Sequence, residues 1–373
     1  MRLRKSEKIL IAEIIFVLLS LSVIFVLAVP LITVHIQSIG EIQTNIHAVV
    51  FYVYNPSNTP YYNYSLRMVL NTSQFIDPEA LLNGMIFSDI NVTTFYYYWI
   101  QYKSPQKIVL WVKIPYIPAN NYVFVVMWYG DISQTIAQEY DNPYKTFLYF
   151  DNLSTDITTA WNNTYIGLEP YNVDYNFSKN IVINTNYDYV KIRHIFHEGY
   201  EGDLWTLRNF SYSQPVIIDF VVEPKLGESR IIGVGVVSPS KNTYELIEID
   251  NTSGTYSFYS TDSFLSLFYG TTSGSQIAPA PIDQWIEIEM NVYGFFTVSR
   301  AVSPDLSTTY FSWTITGYTA PQTFKLWLEQ RNIEGSGITR TRNVALVKYI
   351  FIRYGSYNDQ IYYGVVGRYT FVT

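Results

Sequence analysis

The chain has 373 residues, of which 48% are hydrophobic and 15% charged, with a formal net charge of −7 and no cysteine. Such a chain has ample apolar material for sizeable cores, which excludes disorder, and the missing cysteines exclude disulfides, thiolate catalysis and cysteine-based metal sites. The acidic balance, with no basic stripe beyond the first eight residues, argues against nucleic acid as a partner.

"MRLRKSEK" (1–8) opens the chain as a basic flank, and the run 9–34 after it is apolar but for Glu13, two serines and Thr33. As a helix, that run is long enough to span a hydrocarbon core of roughly 30 Å. It is also longer than the roughly 7–15-residue core of a cleavable signal peptide. Arg2, Arg4, Lys5 and Lys8 precede it, so the positive-inside rule keeps the N-terminus cytoplasmic and places everything after about residue 35 outside the cell. Eight Asn-X-Ser/Thr sequons all follow the run, at Asn63, Asn71, Asn91, Asn152, Asn162, Asn176, Asn209 and Asn251, as a glycosylated ectodomain requires.

Glu13 has two readings. An ionisable group inside a spanning helix is costly; it either snorkels to the interface beside Lys8 or makes an assembly contact between packed helices. "IAEII" after a basic stretch resembles the start of archaeal type IV pilins and related signal-anchored surface proteins, which implies the second reading. The chain departs from them in having no Gly or Ala directly after Lys or Arg.

Residues 35–46 form a connector. Beyond it, short apolar or alternating runs recur between turn signals: "AVVFYVYN", "KIVLWVKI", "YVFVVMWY", "VIIDFVV", "RIIGVGVV", "WIEIEMNVY", "FKLWLEQ" and "ALVKYIFIRY". These are strands of the length and spacing found in β-sandwiches. "DPEALLNGM" is the one short helix, with Asp77 as its cap and Pro78 at its first position.

The stretch from Phe87 to Asp131 carries a more specific pattern, through Asp89, Trp99, Ile100, Trp111, Val112, Lys113, Ile114, Pro115, Trp128, Tyr129 and Gly130. With its flanks, about residues 47–135, it resembles the domain of unknown function 2341, a β-rich module of archaeal and bacterial surface proteins. Trp128 and Asp131 stand where that module usually has Tyr and Asn. The resemblance implies a second, concanavalin-like sandwich downstream. "YFDNLSTDITTAW" (149–161) is similar to its opening and "VKYIFIRYGS" (347–356) to its closing strand. The expected fold is therefore mainly β: an N-terminal hydrophobic helix, a first β-sandwich over 47–145, and a concanavalin-like (laminin-G-like) jelly roll over 146–373.

Several groups of residues are candidates for chemistry. In "FYYYW", strand alternation puts Tyr96 and Tyr98 on one face and Phe95, Tyr97 and Trp99 on the other; one set is core, the other an aromatic ladder. "ELIEID" and "WIEIEM" place Glu248 with Asp250, and Glu287 with Glu289, on shared strand faces. Paired carboxylates serve glycoside hydrolysis, but "ELIEID" has the wrong order and spacing for a laminarinase-like strand. "WIEIEM" resembles the hairpin of non-enzymatic laminin-G-like sandwiches, whose polar alternates face water. "HIFHEGYEGD" gathers His194, His197, Glu198, Glu201 and Asp203; a turn there offers carboxylates to calcium, the one cofactor considered, against a plain solvated loop. "GVGVV" lacks the Gly-Lys-Ser/Thr ending and the following helix of a phosphate loop.

The residues expected to bind a ligand are Trp205, Tyr259, Tyr269 and Trp313, on the curved sheet of the second sandwich, where aromatic faces can stack on sugars. The reading is a non-enzymatic extracellular surface protein that binds glycans or mediates adhesion, anchored in the membrane through residues 9–34 and available as a filament or virion subunit. The alternatives are a purely structural pilus-like filament subunit and a glycan-active hydrolase. The topology has a direct test: protease added to sealed cells should digest the ectodomain, and a surviving full-length band would place the chain on the wrong side of the membrane.

Overall fold

The structure, a computed structural model, describes residues 45–153, 160–167, 181–184, 189–196, 200–224, 231–239, 244–250, 257–261, 275–281, 283–292, 296–316, 323–331, 341–355 and 361–372. The segment 9–34 and Glu13 lie outside them. Among the described residues no helix is long and apolar enough to cross a membrane. The chain is mainly β and divides into two compact units, Met1–Thr146 with Gln360–Thr373, and Phe147–Asp359.

In the first unit a five-stranded sheet runs in the order Tyr362–Val372, Asn45–Asn55, Asn121–Gly130, Met85–Asp89, Phe95–Tyr96. It faces a three-stranded sheet of Tyr61–Asn71, Lys107–Ile117 and Tyr98–Lys103. Alternation builds the core between them: Val49, Phe51 and Val53 meet Leu66, Met68, Leu110 and Val112. The other face of the five-stranded sheet is also apolar where Ala48, Val50, Val126 and Trp128 lie under Ile136 and Ala137 of the helix Gln134–Tyr140. Burial on both faces is why "YVFVVMWY" reads as an unbroken apolar run. The short helix Pro78–Asn83 forms as its sequence implies, with Asp77 Oδ1 accepting the Ala80 N–H at 2.9 Å.

The strand Tyr362–Val372 corrects the domain boundary. It pairs antiparallel with Asn45–Asn55, from Asn45 opposite Val372 to Tyr54 opposite Tyr362. The sequence reading ran the second domain to the C-terminus; the last strand instead completes the first sandwich, because it is the partner that covers the free edge of Asn45–Asn55. Nothing local to residues 360–373 marks which sheet they join.

"FYYYW" is interrupted rather than continuous. Tyr97 separates the strands Phe95–Tyr96 and Tyr98–Lys103. Tyr96 and Tyr98 belong to the core, and Tyr98 donates to the Ala137 carbonyl at 3.1 Å. Phe95 and Tyr97 pack on Tyr140 with ring centroids 5.6 and 5.4 Å away. These aromatics are packing, not a platform.

The second unit is also a sandwich. One sheet runs Ile181–Asn184, Tyr189–Phe196, Thr341–Tyr354, Val216–Pro224, Ile286–Val292, Phe296–Val302, Thr309–Thr316. The other runs Ser275–Pro279, Ser257–Thr261, Tyr244–Asp250, Ile231–Val237, Thr323–Arg331, Tyr200–Thr206, Trp161–Gly167. Ile218, Phe220, Ile288, Met290, Ile350 and Ile352 of the first meet Val234, Val236, Leu326 and Leu328 of the second in one buried cluster. Asp151 opens the unit as a hydrogen-bond hub, accepting from Leu153 N, Tyr149 Oη and Trp161 Nε1 at 2.7, 2.8 and 2.9 Å.

Asp141 gives the first unit a pH dependence. Burial pushes its carboxyl up to about 6, against the opposing pull of the Ile100 N–H and the charge of Lys103. A carboxyl raised in the folded state contributes stability that is complete below the ordinary Asp range and lost as pH rises through about 6. Relative to the wild type, Asp141→Asn should therefore gain roughly 1–3 kcal/mol of stability between about pH 4 and pH 7. Urea denaturation of both proteins across that range checks it; a constant difference would contradict it.

Candidate functional site

The strands Val216–Pro224 and Ile286–Val292 lie side by side, with Asp219 directly opposite Glu289 and Val221 opposite Glu287. Since Ile218, Phe220, Ile286, Ile288 and Met290 point into the core, the alternation turns Asp219, Glu287, Glu289 and Asn291 to the other face of the sheet. All four are nonetheless buried. The sequence reading expected Glu287 and Glu289 to face water; they face away from the hydrophobic core without reaching solvent, a distinction that strand periodicity does not contain.

The three carboxylates form one cluster, each contributing an oxygen within 4.8 Å of the others. Arg353, from the strand Thr341–Tyr354, reaches Asp219 Oδ2 at 3.0 Å and Glu289 Oε2 at 3.3 Å. Arg300, from Phe296–Val302, holds Glu289 with two parallel hydrogen bonds of 2.8 Å. That fork-to-carboxylate geometry is the strong form of the ion pair. Two guanidiniums already supply counter-charge of the kind a cation would bring. The Oδ1 of Asn291, one position further along the same face, is buried with no hydrogen-bond partner among the described residues. This cluster escaped the sequence reading because Asp219, Arg300 and Arg353 come from three strands well separated in the chain; only the Glu-x-Glu spacing was visible.

The expected ligand-binding aromatics are not brought to one surface. Trp205, in Tyr200–Thr206, is paired with Trp327 and Asn162. Tyr259, in Ser257–Thr261, belongs to the same sheet but is separated from the Trp205 strand by three others, about 19 Å in all. Trp313 lies in the last strand of the opposite sheet, paired with Ser299. Tyr269 lies outside the described residues. The placement on a single sheet is thus corrected: a sequence identifies strands but does not assign them to sheets.

Glu201 and Asp203 of the expected calcium loop sit within the strand Tyr200–Thr206, and His194 within Tyr189–Phe196; His197 and Glu198 lie outside the described residues. Among the sequons, Asn63, Asn71, Asn91 and Asn209 are exposed and Asn152 is half-buried. Asn71 Oδ1 also caps the turn Thr72–Gln74 through Ser73 N. Asn162 lies in the strand Trp161–Gly167, and Asn176 and Asn251 are outside the described residues.

The motif residues of the first unit prove architectural. Trp111 donates to Gln101 Oε1 at 2.6 Å beneath the Arg67 guanidinium, 4.2 Å from its ring, and stands opposite Trp99. Trp128 donates to Ser88 Oγ at 3.0 Å. Gly130 has φ +109°, and a Cβ there would come within 2.1 Å of the Asn45 carbonyl oxygen. Asp89 accepts from Thr93 and Thr94 N–H and closes its own turn.

Comparison with known proteins agrees on the first unit. Residues 83–164 match the family model described as "Domain of unknown function (DUF2341)". No characterised protein matches the chain. Among solved structures, a glycosyl hydrolase family protein from Mycobacterium fortuitum is similar at a TM-score of 0.41 and 12% identity, over 55% of this chain and 99% of that one. A beta-1,3-glucanase from Mycobacterium marinum follows at 0.39 and 10%, over 55% and 98%. The carbohydrate-binding module CBM66 from Bacillus subtilis gives 0.31 and 10%, over 52% and 95%. At these TM-scores the likeness decides neither substrate nor chemistry. The non-enzymatic expectation had two grounds, the order and spacing of the carboxylates in "ELIEID" and the water-facing polar alternates of "WIEIEM"; the second fails, because Glu287 and Glu289 are buried in one cluster with Asp219. The non-enzymatic reading is therefore withdrawn.

Arg353→Met should destabilise the second unit by about 3–5 kcal/mol, because it removes the guanidinium from two buried carboxylates. Thermal or urea denaturation measures this, and a loss below about 1 kcal/mol would mean that the cluster is solvated.

Proposed function

We propose that the second unit is a carbohydrate-active, concanavalin-like sandwich of a surface protein, and that Asp219, Glu287 and Glu289 are the carboxylates with which it acts on glycosidic bonds. The observation that carries this reading is their proximity: three carboxylates, with oxygens mutually within 4.8 Å, on the sheet face turned away from the core; all three are buried, so the reading requires the residues covering that face to move aside for substrate. Hydrolysis of a glycosidic bond uses two carboxyl groups, and a separation of roughly 5 Å belongs to the retaining stereochemistry, since it leaves no room for a water between them. Arg300 and Arg353 orient Glu289 and balance its charge, as the anionic partner in such a pair requires. The resemblance to glycan-directed proteins is supporting context of low weight. Export and anchoring through residues 9–34 would bring such a domain to extracellular glycans.

A second reading has its own observation. Arg353 is buried and bridges two of the carboxylates, which is also how an ion network pins neighbouring strands together without any chemistry. The two readings separate experimentally. The full chain is assayed for release of reducing ends from a panel of neutral polysaccharides, beside Glu287→Gln and Glu289→Gln. The proposal expects activity in the wild type, with retention of anomeric configuration by NMR. It expects a fall of roughly 10²–10⁴-fold in each variant, with near-UV circular dichroism unchanged. No hydrolysis on any substrate, with destabilised variants, establishes the structural network instead.

A further inference from the structure

The first unit carries a surface that this function does not use. Residues 52–66, 114–130 and 360–367 contain no Asp, Glu, Lys or Arg, in a chain that is 15% charged. The fold brings these three segments together. Tyr54 stands opposite both Tyr122 and Tyr362, and Asn55 opposite Asn121. Tyr52 stands opposite Phe124 and Gly364, on the same outward face of the five-stranded sheet as Tyr54, Tyr122 and Tyr362. The two turns at this end are tied by Asn120, whose Nδ2 donates to Asn58 Oδ1 at 2.7 Å and whose N–H donates to the Ser57 carbonyl at 2.9 Å.

Tyrosine rings and amides are left facing solvent. Tyr52, Tyr122 and Tyr362 are between 39% and 50% exposed, and Asn58, Thr59, Asn120 and Asn121 are exposed at the same end of the unit. The Tyr122 and Phe124 rings lie 5.2 Å apart. Tyr52 lies against the backbone of Gly364, where a Cβ would come within 2.6 Å of its ring. The glycine is what lets that ring settle across the neighbouring strand.

We infer that this tyrosine-and-amide surface binds a neutral oligosaccharide. Its ring faces suit the C–H faces of sugars, and its phenols, hydroxyls and amides can both donate and accept, as a polyhydroxylated ligand demands when it leaves water. Tyrosine loses little conformational freedom on binding because it has only two side-chain torsions. The absence of charge is the discriminating feature: it offers nothing to nucleic acid or to an acidic or basic peptide, and the Arg and Met that enrich protein interfaces are missing from the exposed set. The inference concerns the first unit and stands apart from the carboxylate cluster of the second.

The test uses the full chain in a detergent without a sugar headgroup. Neutral gluco-, manno- and galacto-oligosaccharides are screened by calorimetry, in parallel with phosphatidylcholine vesicles. At least one oligosaccharide should bind, with an affinity insensitive to salt. Tyr52→Ala or Tyr122→Ala should weaken it about tenfold, and Tyr144→Ala, at an exposed tyrosine elsewhere in the unit, should leave it unchanged. All three sites are exposed, so the variants should fold, which circular dichroism verifies. Absence of any oligosaccharide binding overturns the inference, as does association with vesicles in its place. Binding that survives both patch variants but is lost in Glu289→Gln also overturns it, and supports the second-unit reading instead.

Discussion

Everything in this architecture depends on one pairing, between the strand Asn45–Asn55 and the strand Tyr362–Val372. It closes an edge of the first sandwich with the last residues of the described chain, and so makes the second sandwich an insertion between two parts of the first. An unpaired edge strand exposes a row of backbone donors and acceptors that recruit other chains. A first unit without its C-terminal strand would present that edge at Asn45–Asn55, whose other neighbour, Asn121–Gly130, occupies only one side. Closure therefore joins residues about as far apart as the described chain allows, and the first unit cannot complete itself until the second has been made. Long-range pairing of this kind is costly in chain entropy and slow to form.

The second unit rests on a different constraint, the burial of charge. Asp219, Glu287, Glu289 and Arg353 are all buried on the sheet face opposite the hydrophobic core. A buried charge is tolerated only when paired and hydrogen-bonded, and Arg353 and Arg300 meet that condition within a network spanning four adjacent strands. The proposed carbohydrate chemistry and a structural ion network would draw on the same residues and the same geometry. That overlap is why the site is defined by distances and function by assay.

The first unit shows how a sequence pattern can be specific without marking a site. Trp111, Trp128, Gly130 and Asp89 each solve a packing or turn problem: an indole N–H needing an acceptor, a left-handed backbone position, a turn needing a cap. The proposed oligosaccharide surface lies elsewhere, on tyrosines outside that pattern.

Much of the fold was determined by the sequence alone. Short apolar or alternating runs located eight of the strands, among them Asn45–Asn55 and Thr341–Tyr354, and Asp77 and Pro78 located the helix Pro78–Asn83, because strand patterning and helix capping are local physics. The pattern from Asp89 to Gly130 pointed to the first module through its resemblance to the domain of unknown function 2341, whose family model matches residues 83–164. Tertiary structure alone decided the rest. It assigned Tyr362–Val372 to the first sandwich, sent Trp205 and Trp313 to different sheets, and gathered Asp219, Glu289, Arg300 and Arg353 from four strands. It also turned Glu287 and Glu289 from an expected solvent face into a buried cluster. Alternation says which residues share a face of a strand; which neighbour pairs with that strand, and what covers its far side, are set by contacts between residues that the sequence holds far apart.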